Sequence, residues 1–326
     1  MHNKKEIIIA PGKGMGNFIS MLGCFRTISK QVNKKITILT KKSTSAKMYL
    51  NNQSFCEEII YINEKKRGLL NINYNLNIFF KLIKLLKSLN IEKLYILHPS
   101  KKYVLAGLIA GINKIYAPGY KLQNFFLKKE FKYYPNFFCK ALDPLIESQE
   151  LIKKIFKIQL LENGLLDFKK PSFKKYIAVC IATSGFEKQW GIENYLKVFD
   201  YLISKGKNNF IILSGKDQHK AENDLFLSIN SKHKNINILK TSEKKMDYIY
   251  KLLKETKYYI GNDTGISHLA VAMGLHSIII HGDCPPHNYS NLIYAIDNDE
   301  KIRSKTSIKK ISFLKVKNKI DEVLKF

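Results

Sequence analysis

The chain has 326 residues, 45% hydrophobic and 12% aromatic, enough to bury cores in about two domains and too apolar for a disordered chain. Lysine and arginine number 55 against 27 acidic residues, a net charge of +28, which favours acidic partners such as nucleic acid, an anionic membrane face or phosphorylated substrates. Five cysteines, odd in number and without a CxxC pair, exclude a disulfide framework and a cysteine-rich zinc site and fit a reducing cytosol.

The first apolar run, Ile7-Ile8-Ile9-Ala10, is too short for the core of a signal peptide. Residues 6–10 read as a strand. The glycine-rich turn Pro11-Gly12-Lys13-Gly14-Met15-Gly16-Asn17 follows and opens a helix over 17–30. Residues 35–39 and 57–62 read as strands, 77–89 as a helix, 93–97 as a strand and 104–112 as a helix. The longest apolar stretch, 103–112, falls short of the roughly 18 residues needed to cross a bilayer. A soluble, cytoplasmic protein, able to sit peripherally on a membrane, is expected.

Residues 125–135, rich in aromatics and lysines, break the rhythm and read as a loop or flap. A helix over 147–161 and a linker over 163–171 come next. The alternation then restarts: strands at 176–181, 209–213, 236–239, 258–261 and 277–281, helices at 193–205, 216–231, 247–254 and 267–273. Strand–helix alternation is the pattern of a parallel sheet covered by helices. The fold class is therefore α/β, two Rossmann-like domains with parallel sheets facing across a cleft. The expected divisions are 1–165, 171–308 and a closing helix in 309–326. Ligands bind at the carboxyl ends of such strands.

Charge is spread as pairs such as Lys34-Lys35 and Lys128-Lys129, with no run of five or six. It reads either as a solvated surface or as weak attraction to anionic lipid, roughly 1 kcal/mol per well-placed lysine. No nucleic-acid module is recognisable, so nucleic acid is not an expected partner.

Four strand-end loops hold the chemistry. The turn at Gly12, Gly14 and Gly16 has neither the dinucleotide nor the Walker spacing. In Ser184-Gly185-Phe186-Glu187-Lys188-Gln189-Trp190, Lys188 reads either as a solvated side chain or as one pointing into the cleft to neutralise a diphosphate. In Gly261-Asn262-Asp263-Thr264-Gly265-Ile266-Ser267-His268, Asp263 or Thr264 can cap a helix whose free N–H groups would hold phosphate, with His268 one turn in. His281, Asp283, Cys284 and His287 imitate zinc ligands, but Pro285-Pro286 stiffens the only spacer, and no metal is expected. Asp297-Asn298-Asp299 reads as a surface turn rather than a metal–nucleotide DxD site.

Taken together, these segments resemble glycosyltransferase family 9, the heptosyltransferases of lipopolysaccharide core synthesis. The run from Tyr259 to Gly274 looks like that family's signature, Glu187-Lys188-Gln189-Trp190 like its Lys-x-Trp element, and Gly14-Met15-Gly16-Asn17 like its acceptor loop. The region from His98 to Gly119 and the tail from Ile311 to Leu324 resemble it further. The resemblance implies a GT-B fold and metal-independent, inverting transfer from a nucleotide sugar, ADP-heptose as the usual donor, without another cofactor. The acceptor implied is a lipid-linked acidic saccharide at the anionic inner face of the cytoplasmic membrane. It gives Asp263, Thr264, Gly265 and His268 to the donor, Lys188 to its diphosphate, and Gly14, Met15 and Gly16 to the acceptor loop. One departure matters. The family's acceptor loop ends Gly-Asp, and that aspartate is the expected general base. Here Asn17 stands there, and an amide cannot take a proton. Three readings follow: His98 substitutes, Asn17 only orients the acceptor, or the chain is an inactive donor-binding homologue. A donor with another nucleotide is a further alternative.

Overall fold

The computed structural model describes residues 4–12, 14–63, 72–98, 100–136, 138–140, 142–169, 171, 174–183, 185, 188–282, 285–298, 304 and 306–325. The chain divides into two units, Met1–Asp167 and Phe168–Phe326.

The first unit carries β1 (Lys5–Ile9), β2 (Ile36–Thr40), β3 (Cys56–Tyr61), β4 (Ile91–Ile96) and β5 (Ile115–Tyr116) in one sheet of order β3-β2-β1-β4-β5. Every pairing is parallel. The central strands read KEIII and ITILT and are buried almost throughout, as strands covered on both faces must be. The helices are α1 (Met15–Ile19), α2 (Leu22–Val32), α3 (Ala46–Leu50), α4 (Ile72–Ser88), α5 (Lys101–Ile109), α6 (Gln123–Phe126) and α7 (Pro144–Phe156). Asp143 caps α7 by accepting from Leu145 N at 2.8 Å, with Pro144 at the first helical position, where its missing N–H costs nothing.

The helix expected over 17–30 is in fact two. The Ser20 hydroxyl turns back on the Asn17 carbonyl at 3.1 Å, and such a bond competes with the helical ladder. Part of the expected linker is also tied down. Asp167 accepts from Arg26 Nη1 at 2.8 Å and from Ser54 Oγ at 2.6 Å, and its N–H reaches Gln53 Oε1 at 2.6 Å.

The second unit carries β6 (Tyr176–Cys180), β7 (Asn209–Leu213), β8 (Asn237–Lys240), β9 (Thr256–Asn262), β10 (His276–Ile280) and β11 (Ile293–Ile296). Its sheet runs β11-β10-β9-β6-β7-β8, again all parallel. The helices are α8 (Ile192–Ser204), α9 (His219–Lys232), α10 (Met246–Lys254), α11 (Gly265–Ala272) and α12 (Phe313–Leu324). Val179, Ile212, Ile260 and Ile278 meet Trp190, Phe199 and, from α12, Val316 and Ile320 in one core.

Both sheets share a plan. Two strands step outward from the first, and the fourth returns to its other side. This places a topological switch point between β1 and β4 and another between β6 and β9, the positions where doubly wound sheets open a crevice at their carboxyl ends. The glycine-rich turn and His98 flank the first. The Lys188 loop and the Asp263 loop flank the second. No described helix is long and apolar enough to cross a membrane.

Candidate active site

The second unit holds the denser constellation. Gly261 lies so close to β6 that a Cβ there would stand 2.3 Å from the Cys180 carbonyl oxygen. Only glycine fits. Asn262 then locks the strand end: its Nδ2 donates to Ala182 O at 3.2 Å, and its Oδ1 accepts from Tyr195 OH at 2.7 Å. Tyr259 OH donates to Asn262 O at 2.9 Å. Asp263 leaves this anchored edge with its N–H on Ile280 O.

Three imidazoles surround the Asp263 carboxylate. His268 Nε2 lies 3.2 Å from Oδ1, while His281 Nδ1 and His287 Nε2 each lie 3.6 Å from Oδ2. Burial pushes the Asp263 carboxyl up, but the histidines around it outweigh that and hold it well below the usual carboxylate range. His268 is fixed from its other side, where Nδ1 meets Tyr289 OH at 2.6 Å and the two rings stack at 5.7 Å. Burial and the Asp263 charge push the Tyr289 phenol up, so it remains a hydroxyl.

Thr264 is the N-cap of α11. Ser267 Oγ accepts from Thr264 N at 3.1 Å and donates to Thr264 O at 2.7 Å. Thr264 Oγ1 has no hydrogen-bond partner. Nor has either ring nitrogen of His281, and Asp263 Oδ1 has only its ion-pair contact with His268 Nε2. Four of the seven such buried side-chain atoms among the described residues thus gather at this one helix mouth. Buried polar atoms are nearly always bonded, and this cluster has donors and acceptors to offer a water or a polar ligand. The first N–H groups of α11 and its dipole favour an anion there. Asp263, His268 and His287 also bring one ligand atom each within 4.8 Å of one another, a spacing that would admit a cation.

Lys188 is half-buried in the loop after β6, with its N–H on Gly185 O at 3.0 Å. Two residues on, Trp190 is buried in the core and donates its indole N–H to Ile311 O at 2.7 Å. Trp190 therefore anchors the loop that carries Lys188. Ser184, Phe186, Glu187, Asp283 and Cys284 lie outside the described residues, as does Asp299 of the DxD sequence. The rest of that sequence packs locally: Lys315 Nζ donates to Asp297 O at 2.6 Å, and Asn298 Nδ2 to Ser307 O at 3.2 Å.

In the first unit, Gly12 takes a left-handed φ of +51° with Phe18 Cβ 3.3 Å from where its own Cβ would stand. Gly14, extended, has open space over it and precedes α1. Met15 and Gly16 are half-buried and Asn17 is exposed; Lys13 lies outside the described residues. His98 stands just past β4, half-buried and edge-on to Tyr103 at 5.9 Å. Its Nδ1 accepts from Ser100 N at 3.1 Å. A neutral ring bonded this way carries its proton on Nε2. In that tautomer Nε2 is a donor, and taking a proton there requires the ring to give up the Ser100 bond.

Sequence reasoning passed over Tyr289, Asn262 and Tyr195. It also weighed His281 and His287 only as zinc mimics, separate from Asp263. The parallel sheet supplied the missing link: β10 lies beside β9, so the ends of both strands share one mouth.

Comparison with known proteins bears on the family and the fold. The model of "Glycosyltransferase family 9 (heptosyltransferase)" matches residues 140–317, more than half of the chain. Lipopolysaccharide heptosyltransferase 2 of Salmonella typhimurium is 26% identical over 121 residues, spanning 37% of this chain and about a third (34%) of that protein's length. Among solved structures, E. coli ADP-heptose LPS heptosyltransferase II superposes with a TM-score of 0.73 at 18% identity, covering 98% of both chains. E. coli heptosyltransferase WaaC with ADP-2-deoxy-2-fluoro heptose superposes with a TM-score of 0.69 at 14% identity, covering 97% of this chain and 99% of that one. These likenesses show a fold of GT-B type. The family match, extending over more than half of the sequence, shows that the chain belongs to glycosyltransferase family 9.

Proposed function

We propose that the chain is a heptosyltransferase of lipopolysaccharide core assembly. It transfers a sugar with inversion from a nucleotide diphospho-sugar, ADP-heptose by family likeness, to a lipid-linked acidic saccharide at the inner face of the cytoplasmic membrane. The observation that carries this reading is the pair of buried groups without a hydrogen bond at the mouth of α11, the Thr264 hydroxyl and the His281 ring. A diphosphate there would meet helix N–H groups, the Thr264 hydroxyl, the imidazoles and the Lys188 ammonium.

The chemistry follows from that placement. An acceptor oxygen attacks the anomeric carbon, the bond to the diphosphate oxygen breaks, and the electron pair leaves with the diphosphate. Fixed positive charge and N–H dipoles aimed at this developing anion lower the barrier. They do so without a metal, so chain groups alone stabilise the leaving group in this reading. Asn17 and the His98 Nε2–H orient the acceptor hydroxyl, whose proton passes to water.

The direct test is donor turnover with ADP-heptose and a delipidated core acceptor, read by mass spectrometry. A heptose mass gain that is lost in Asp263→Ala supports the reading. ADP binding without mass gain favours an inactive homologue or another acceptor. No ADP binding moves the donor to another nucleotide.

A further inference from the structure

We propose that the stretch between β5 and α7 is a docking surface for an anionic lipid bilayer. The inference rests on the function proposed above only in giving the bilayer a lipid-linked acceptor to present.

The stretch exposes an unusual set of side chains. Phe125 is 70% and Phe138 91% exposed, and Leu122, Phe126 and Leu142 are exposed in the same stretch. Lys121, Lys128, Lys129 and Lys140 are exposed in the same stretch. A purely solvated loop gains nothing from holding large apolar groups in water, and grouped exposure of this kind marks an interaction site.

The stretch is also built to hold its shape. Lys132 is turned inward, and its Nζ donates to Asn124 Oδ1 at 2.6 Å and to Asn124 O at 3.1 Å. Asn124 Nδ2 donates to Tyr134 O at 3.0 Å. Tyr134 OH donates to the buried Glu147 at 2.7 Å and accepts from Leu142 N at 2.8 Å. These bonds draw the segment of Phe125 and Phe126 toward the segment of Phe138 and Leu142.

Charge decides the occupant. A second copy of this chain would set lysines against lysines on a protein of net charge +28. An anionic bilayer accepts both components, aromatic and leucine side chains at the acyl boundary and lysines among the headgroups. Position supports the same choice. Gln123, fully buried at the start of α6, donates to His98 O at 3.2 Å and Ser100 O at 3.1 Å, and its Oε1 accepts from Gly119 N at 3.0 Å. The exposed aromatics are thus fastened to the loop that carries His98. A bilayer seated on them would bring a lipid-linked saccharide to the carboxyl end of β4.

The test is co-sedimentation of the full chain with phosphatidylethanolamine vesicles made with and without phosphatidylglycerol. Binding is expected only with phosphatidylglycerol. It should fall about tenfold in Phe125→Ser/Phe138→Ser and in Lys128→Glu/Lys129→Glu, with unfolding midpoints and ADP binding unchanged. Absence of binding to anionic vesicles overturns the proposal. So does equal binding by the variants, or self-association of the native chain abolished by the same substitutions. Turnover of a delipidated acceptor separates the two readings: vesicle binding can fail while turnover stands, or stand while turnover fails.

Discussion

His98 Nδ1 accepts a hydrogen bond from the backbone N–H of Ser100 at 3.1 Å. That bond commits Nε2 to its proton, so His98 cannot act as a base through Nε2 without giving up the bond. Asn17, an amide, cannot take a proton either, so under the function proposed above neither side chain is a ready base.

Asn17→Asp should therefore raise kcat. A carboxylate at that position adds the missing general base, a group that contributes about 10²-fold or more when well placed. His98→Gln, which keeps a donor, should lower kcat less than about tenfold, since general-base catalysis is worth more than that. Steady-state transfer to a soluble acceptor checks both, and a large loss in His98→Gln would restore His98 as the base.

Asp263→Ala and Lys188→Ala should each lower kcat/KM by about 10²–10³, the scale of losing one preorganised charge-stabilising group. Calorimetric titration with ADP locates the loss. Weakened binding is expected for Lys188→Ala, because its ammonium is assigned to the diphosphate.

Transfer should persist in excess chelator, and Zn²⁺ should inhibit it in competition with the donor. The reason is shared geometry: Asp263, His268 and His287 can close on a cation, and imidazole and carboxylate suit zinc. His287→Ala should weaken that inhibition. Loss of turnover on chelation would show instead that the cluster holds a metal required for catalysis.

Acid should unfold the second unit partly through Asp263. Its folded pKa is depressed by the surrounding histidines. The stabilisation is therefore present above the unfolded value of about 3.9 and is lost as pH falls through the folded value. Urea midpoints between pH 7 and pH 3 should fall less steeply in Asp263→Asn than in the native chain.

Gly261→Ala should destabilise the second unit by about 2–3 kcal/mol, the overpacking range. A methyl there would press on the Cys180 backbone. Chemical denaturation checks this, and an unchanged midpoint would mean that the strands part easily.

Much of the fold was legible because long β-branched runs such as Ile7-Ile8-Ile9 and Ile278-Ile279-Ile280 admit few readings beside buried strands. β5 was not legible, since two residues carry no periodicity, and β11 was masked by its polar surroundings. Asp263, Thr264 and His268 were readable as one group because they fall within six residues. His281, His287 and Tyr289 were not, because what joins them to Asp263 is the pairing of β9 with β10, a relation between strands that local spacing does not encode. The misreading of residues 17–30 as one helix has a similar cause: hydrophobic periodicity continues across Ser20, where the hydroxyl turns back on the Asn17 carbonyl.

Trp190 is the chain's only tryptophan, and it sits in the core of the second unit with Tyr195 at 5.2 Å and Ile311 on its indole N–H. The protein therefore carries a built-in optical probe of one half of itself. Emission excited at the indole band reports that half alone, while far-ultraviolet circular dichroism reports both. Coincident denaturation curves from the two signals would mean that the halves unfold together, and separated curves would give each half its own transition without any label being introduced.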